Sequence, residues 1–466
     1  MRTAFVLVVA LAAGCVTVPT STNEQAPDAV AAFAPFVPPA PDFDFSTVIV
    51  PDHPSHQLPD LHMAGHGLEL VGHAAISDIA PPESRASITQ IDLWQNYAVV
   101  SGMEGGLAFA IVDLADPASP KAVSWYPSAA DGWTARFSDD GNYVFYGCQL
   151  FSAPPFGLVY NPTSNVKGTC EDADAPHAPP AAEAGVVAVD VSDKANPTFA
   201  AFLPVGGSHN IFVTSINGTD YIFTASTAIL KFDRAAGKLE QVAEVPGVHD
   251  ATVARHPVTG KLLLFTGAAE GSFAIYDVSD PAAPEVVYEG GLEGAVGWHE
   301  QTLVPGLVDG RAVLALGGEH GTSTEGVMDA VSFVDVTDPV HPTLLSTWMP
   351  PFDGVVPWQG YLFSIHEMAA TPTGQVAISW YHAGVWVLDV STKERQAEPV
   401  TLAAYQPHEL PNVVPSTFAQ TPVPVVPFVW GAGWDARGYL VIPDMQTGVY
   451  VLEPEWGLHP ALDGGQ

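Results

Sequence analysis

Positive charge is scarce in this chain. Its 466 residues hold 15 lysines and arginines against 51 aspartates and glutamates, a formal net charge of −36. A field of that sign repels phosphates and anionic headgroups, so nucleic acid is not an expected partner. Cations, cationic peptides and neutral ligands remain open, and much of the acidity reads as a solubility device. Cysteine is almost absent as well, with Cys15, Cys148 and Cys170 making up the whole set and no C-x-x-C among them. The G-x-S-x-G elbow, the phosphate-binding glycine signatures and H-E-x-x-H are all missing, which removes the motif-borne hydrolase, nucleotide and zincin readings. No amphipathic helix of three turns can be read, and no apolar run is long enough to span a bilayer as a permanent helix.

What the chain does have is apolar residues, 47% of the total, enough for a large core. It also has a recurring strand that ends in an acid. The strand reads GLAFAIVD to Asp113, GVVAVD to Asp190, GSFAIYD to Asp277, AVSFVD to Asp335 and GVWVLD to Asp389, with weaker copies ending at Asp233 and Glu453. Four copies are followed by the same kind of turn: Asp116…Pro120, Asp193…Pro197, Asp280…Pro284 and Asp338…Pro342. Such aspartates are turn chemistry, with the carboxylate accepting backbone N–H groups and proline presetting the dihedral. Around each copy lie an entry strand, a Gly/Asn/Asp turn, a second apolar strand and an outer strand, which is the make-up of a propeller blade. Seven copies therefore predict an all-β, single seven-bladed β-propeller of four-stranded blades. The seventh unit lacks its fourth strand, and residues 68–73 (LELVGH) are expected to supply it and close the ring.

The repeats, written AIVDLADP, VAVDVSDK, AIYDVSDP, SFVDVTDP and WVLDVSTK, resemble the LVIVD repeats of secreted bacterial β-propellers. The likeness covers roughly residues 66–457. It implies the fold and no agreed activity, and blade three departs from it with LKFDRAAGKLE. At the start of the chain, Arg2, an apolar run and Leu11-Ala12-Ala13-Gly14-Cys15 are similar to a bacterial lipoprotein signal. That resemblance implies lipidation of Cys15 and, with Val16 following, an outer-membrane or cell-surface location. The expected organisation is thus a signal peptide over 1–15, an Ala/Pro-rich tether over 16–65, the propeller over 66–457 and a tail over 458–466. In an oxidising compartment Cys148 and Cys170 are expected to form a disulfide. The membrane is touched only through the lipid, and the protein is expected to be monomeric.

A second periodicity concerns function. Five blades open on His followed by an acid or its amide: His209-Asn210, His249-Asp250, His299-Glu300, His366-Glu367 and His408-Glu409. Blade two has Ala130-Asp131 near that point, and blade one has no histidine. Entry strands of a propeller line its axis, so these imidazoles are expected to converge at one mouth. They could form a hydrogen-bonded structural ring, hold a transition metal (Zn, Cu or Fe) or receive an organic ligand. Glu104, Glu270, Glu319, His382 and Asp444 end second strands on the same side and are candidate supporting partners. The longer connections 148–184, 319–329, 349–364 and 409–428 and a set of aromatics that includes Tyr381, Phe428 and Trp430 fall on that side too. The favoured function is a binding or protein-interaction module, with no catalytic residue assigned and its ligand or partner unknown. The alternative is an extracytoplasmic metalloenzyme, an oxidoreductase or hydrolase.

Overall fold

The computed structural model describes residues 43–45, 65–79, 87–103, 107–128, 131–149, 184–206, 208, 210–225, 227–246, 249–268, 272–296, 299–319, 329–351, 364–407 and 427–457. These residues form seven antiparallel sheets arranged as a β-propeller. Blade one comprises Ser87–Trp94, Tyr97–Met103, Leu107–Asp113 and Lys121–Pro127, and blade two Asp131–Phe137, Tyr143–Gln149, Gly185–Asp190 and Thr198–Pro204. Blade three comprises Ile211–Ile216, Thr219–Thr224, Ala228–Asp233 and Lys238–Glu244, and blade four Ala251–Arg255, Leu262–Ala268, Ser272–Asp277 and Glu285–Gly290. Blade five is Glu300–Leu303, Val313–Gly317, Val331–Asp335 and Thr343–Trp348. Blade six is Met368–Ala370, Gln375–Ser379, Val385–Asp389 and Val400–Tyr405, with Gly65–His66 added outside Val400–Tyr405. Blade seven takes Gly433–Trp434, Leu440–Asp444 and Gly448–Pro454 from the end of the chain. Its fourth strand is Leu68–Ala75, paired antiparallel with Gly448–Pro454 from Leu68 opposite Pro454 to Ala75 opposite Gly448. Helix is confined, among the described residues, to Ile76–Ile79 and Lys393–Ala397.

The third strand of each blade is the repeat strand, and it is almost wholly buried because sheets cover both of its faces. This explains its near-continuous run of Val, Ile, Ala and Phe where a half-buried strand would alternate. Its closing aspartate caps the next turn. Asp113, Asp190, Asp277, Asp335 and Asp389 each accept the backbone N–H two residues on, at 2.8–3.0 Å. Asp116, Asp193, Asp280 and Asp338 repeat the device one turn later.

The core lies between blades. Each interface carries its own apolar cluster, such as Phe145, Val186, Ile211, Ile222 and Leu230 between blades two and three, or Phe265, Phe273, Leu314 and Val334 between four and five. Blade seven meets blade one through Ala74, Ile76, Ile79, Ile88, Val100, Val441 and Val451. Seven blades with seven interfaces make a closed ring, since an open array would have one interface fewer. Phe45, in the segment read as a tether, is buried with Trp386 at the interface of blades five and six, and Phe43 stacks on His66 at 3.8 Å.

Candidate functional site

Strand register places the residues that enter the axis. In blade five His299 donates its backbone N–H to Gly317 O, and Glu300 pairs with Gly317. In blade six His366 and Glu367 face Ser379, and in blade four His249 N–H reaches Gly267 O. The equivalent of Gly317 in blade two is Gly147, and it pairs with Thr134. Blade two thus presents Trp133-Thr134 at the entry in place of Ala130-Asp131, because a bulge between Asp131 and Thr134 shifts the register.

The acids and amides that follow the histidines occupy the centre of the ring. Asn210 Oδ1 of blade three accepts from Gln90 Nε2 of blade one at 3.1 Å and from Thr134 Oγ1 of blade two at 3.0 Å. Arg136 of blade two donates to Glu367 Oε1 of blade six at 2.9 Å. Blades two and six are not neighbours, so that bond crosses the axis. Glu367 also lies close to Gly431, where a Cβ would stand 2.7 Å from its Oε2 and displace it. Arg136 also lies 3.9 Å from Asp92, and the carboxylates of Glu367, Asp92, Asp250 and Glu300 outweigh the effect of burial and raise its pKa. The acids outnumber this cation. Burial, then the Asp250 carboxyl, keeps Glu300 well above the ordinary carboxylate range. Burial, followed by Asp250 and Asp92, pushes Glu367 up to about 8 despite Arg136.

One layer nearer the mouth, three imidazoles sit side by side. The rings of His249 and His299 are 4.5 Å apart, and those of His299 and His366 4.7 Å. His299 Nε2 lies 3.1 Å from Glu319 Oε2. Burial opposes charge on His299, but the Glu319 carboxylate prevails and lifts it to about 8. Glu319 in turn is held well below the carboxylate range by His299, with His366 and the Tyr381 hydroxyl adding to the effect against burial. Enclosure, then the neighbouring His299, pushes His249 down.

Aromatic side chains wall this mouth. Met103, Trp133, Tyr381, Phe428, Trp430 and Met445 form one buried cluster drawn from blades one, two, six and seven. Trp430 packs on His366 at 4.2 Å and Phe428 stacks on Tyr381 at 4.8 Å. Tyr381 donates its hydroxyl to Glu319 Oε1. Its backbone is left-handed, φ 40°, a conformation that costs a non-glycine residue of order 1–3 kcal/mol and tends to collect at functional sites.

Of the sequence candidates, His249, His299, His366 and Glu319 thus come together. His382 is buried with its ring against Phe428 at 4.5 Å. Asp444 is spent on the turn of blade seven, where it accepts from the N–H groups of Phe428, Gln446 and Thr447 and from the Thr447 hydroxyl. His209, His408, Glu104, Glu270, Cys15 and Cys170 lie outside the described residues, and Cys148 is buried on the second strand of blade two. The four longer connections, 148–184, 319–329, 349–364 and 409–428, are described only at their ends.

Fold and site together define a seven-bladed, ring-closed β-propeller with a polar axis and a histidine-bearing mouth. Its repeats match the LVIVD repeat family over residues 89–127 and 181–202, which spans blade one and the third and fourth strands of blade two. No curated protein matches the chain. Among solved structures, a chain of the "Crystal Structure of Mitotic Checkpoint Complex" is similar over 82% of this chain and 94% of its own, at 12% identity and a TM-score of 0.46.

Proposed function

We propose that this propeller is a lipid-anchored, extracytoplasmic binding module whose ligand seats at the histidine-bearing mouth. The observation that carries the reading is the wall built there. Three imidazoles lie side by side, His366 and Glu319 touch Tyr381, His366 packs on Trp430, and these aromatics belong with Phe428 and Trp133 to one buried cluster drawn from several blades. Convergent polar groups on an apolar wall are the ordinary composition of a ligand site. The left-handed Tyr381 backbone falls in the turn Trp380–Gly384, which joins two strands of blade six and brings the ring to this wall.

Thermal unfolding against a panel of small molecules and metal ions tests the reading, comparing the wild type with Tyr381→Phe and Trp430→Leu. Ligands that raise the wild-type Tm are expected to raise it far less in the variants. Shifts retained in both variants would place binding elsewhere and overturn the proposal.

Anchoring rests on the Leu11–Cys15 pattern and is checked separately. Cys15→Ser is expected to move the protein from the membrane to the soluble fraction or to block its processing. Unchanged membrane partition would sink the lipoprotein reading and leave the mouth untouched. A Cys148–Cys170 bridge belongs to the same extracytoplasmic picture. Intact mass with and without reductant should then differ by two protons.

A further inference from the structure

We infer that His249, His299 and Glu319 form a site for one divalent transition-metal ion of the zinc class. This deepens the reading of the mouth as a binding site and rests on it. Each of the three residues offers a donor atom, and the three atoms lie within 4.8 Å of one another. Two imidazoles and one carboxylate are a donor set that zinc takes with a fourth position left open to water or a ligand.

The geometry of one edge is specific. His299 Nε2 and Glu319 Oε2 are 3.1 Å apart, a buried imidazole–carboxylate pair. Bonds of about 2.0–2.2 Å in a tetrahedral zinc site put neighbouring donors roughly 3.3–3.6 Å apart. The His299–Glu319 edge, at 3.1 Å, needs only a small opening to admit an ion between its two donors. His299 Nδ1 is also buried without a hydrogen-bond partner among the described residues. A buried ring nitrogen left without a partner is costly.

The carboxylate is held for the purpose. Tyr381 donates to Glu319 Oε1 and leaves Oε2 to face His299. An outer hydrogen bond of this kind fixes a ligating carboxylate and tunes its basicity. Tyr381 is thus a positioning residue, braced by Phe428 and Trp430. The whole chain carries a formal net charge of −36. That charge favours a cation at this mouth.

The test uses the full chain stripped with chelator, then titrated with ZnCl2 by calorimetry and with Co(II) by visible absorption. One Zn(II) per chain and the d–d bands of a four-coordinate N/O site are expected. Glu319→Gln, close to isosteric, should weaken Zn(II) binding at least 100-fold, and His249→Gln should do the same. Tyr381→Phe should weaken it about 10-fold, the usual effect of losing an outer partner. His341→Ala, at an exposed His–Asp pair on the turn of blade five, should change nothing. Equal circular dichroism and Tm among the metal-free variants show that folding is not the cause. Absence of a stoichiometric ion, or an ion that survives Glu319→Gln and His249→Gln, overturns the site. Small-molecule binding that persists in chelated protein and in Glu319→Gln would overturn the metal alone and leave the mouth as a ligand site.

Discussion

Deleting residues 68–75 is expected to cost on the order of 5 kcal/mol, a large share of what holds an ordinary native protein together. The strand supplies the whole outer edge of blade seven and leads into Ile76 and Ile79, which are buried between blades seven and one. Without it, Gly448–Pro454 becomes an unpaired edge and one of the seven interfaces loses its apolar cover. In a stacked array each unit depends on its neighbours, so the damage spreads beyond one blade. Urea unfolding of the deletion variant should show a much lower midpoint or no cooperative transition. An unchanged midpoint would mean that the ring holds without this strand. A gentler version, Gly72→Val, works through crowding: a Cβ at this position would lie 2.1 Å from Pro117 O.

Arg136→Met is the second large effect. It removes the cation that reaches Glu367 at 2.9 Å and Asp92 at 3.9 Å, and that interacts with Asp250 and Glu300. Breaking a buried pair from one side costs about 3–5 kcal/mol once the remaining group is charged and uncompensated, so the full cost is expected above pH 8, where Glu367 loses its proton. The cost should shrink in acid, where the orphaned carboxylates take up protons. The double variant Arg136→Met/Glu367→Gln should recover part of the loss above pH 8. If the Arg136→Met cost is the same at pH 5 and above pH 8, the axial acids do not depend on this cation.

The pH dependence of the wild type follows from the same cluster. Glu367 has its pKa raised to about 8 in the folded protein, against an ordinary value near 4.3. Between these values the native state holds a proton that the unfolded chain gives up, so stability falls as pH rises through that window. The slope from one such group is at most about 1.4 kcal/mol per pH unit. Glu367→Gln cannot titrate and is expected to flatten the slope between pH 5 and 8.

The architecture was legible because it is periodic. A strand covered on both faces must be a continuous apolar run, and an aspartate two residues before an N–H caps the turn that follows. Both features recur seven times or nearly so, and the missing fourth strand of the last blade pointed to residues 68–73. The site was legible only in part. His299, His366 and His249 mark blade entries and sit side by side at the mouth, while Glu367, the acid after His366, makes the bond that crosses the axis. Arg136 carries no repeat signal, because it lies in the strand Asp131–Phe137 whose register is shifted by a bulge. Trp133 takes the histidine's place in that blade, a substitution that spacing alone does not reveal. Glu319 was found from its place at a strand end, whereas Asp444, found the same way, is spent on a turn of its own blade.

Between the repeat strand and its outer neighbour every blade carries a register shift. It falls at Ile111/Val112, Phe199/Ala201, Ile229/Leu230, Ile275/Tyr276, Phe333/Val334, Val387/Leu388 and Leu70/Gly72. A bulge bends its strand and sharpens the local twist, so the unpaired N–H and C=O groups on the rim no longer lie in a flat row. Several of these rim strands also carry exposed Lys or Glu, as in Lys121, Lys238, Glu240 and Glu285. Two molecules meeting rim to rim therefore find neither a straight template for a shared sheet nor an uncharged one. A wheel that leaves an outer strand exposed on most of its blades can in this way be concentrated without polymerising through its circumference.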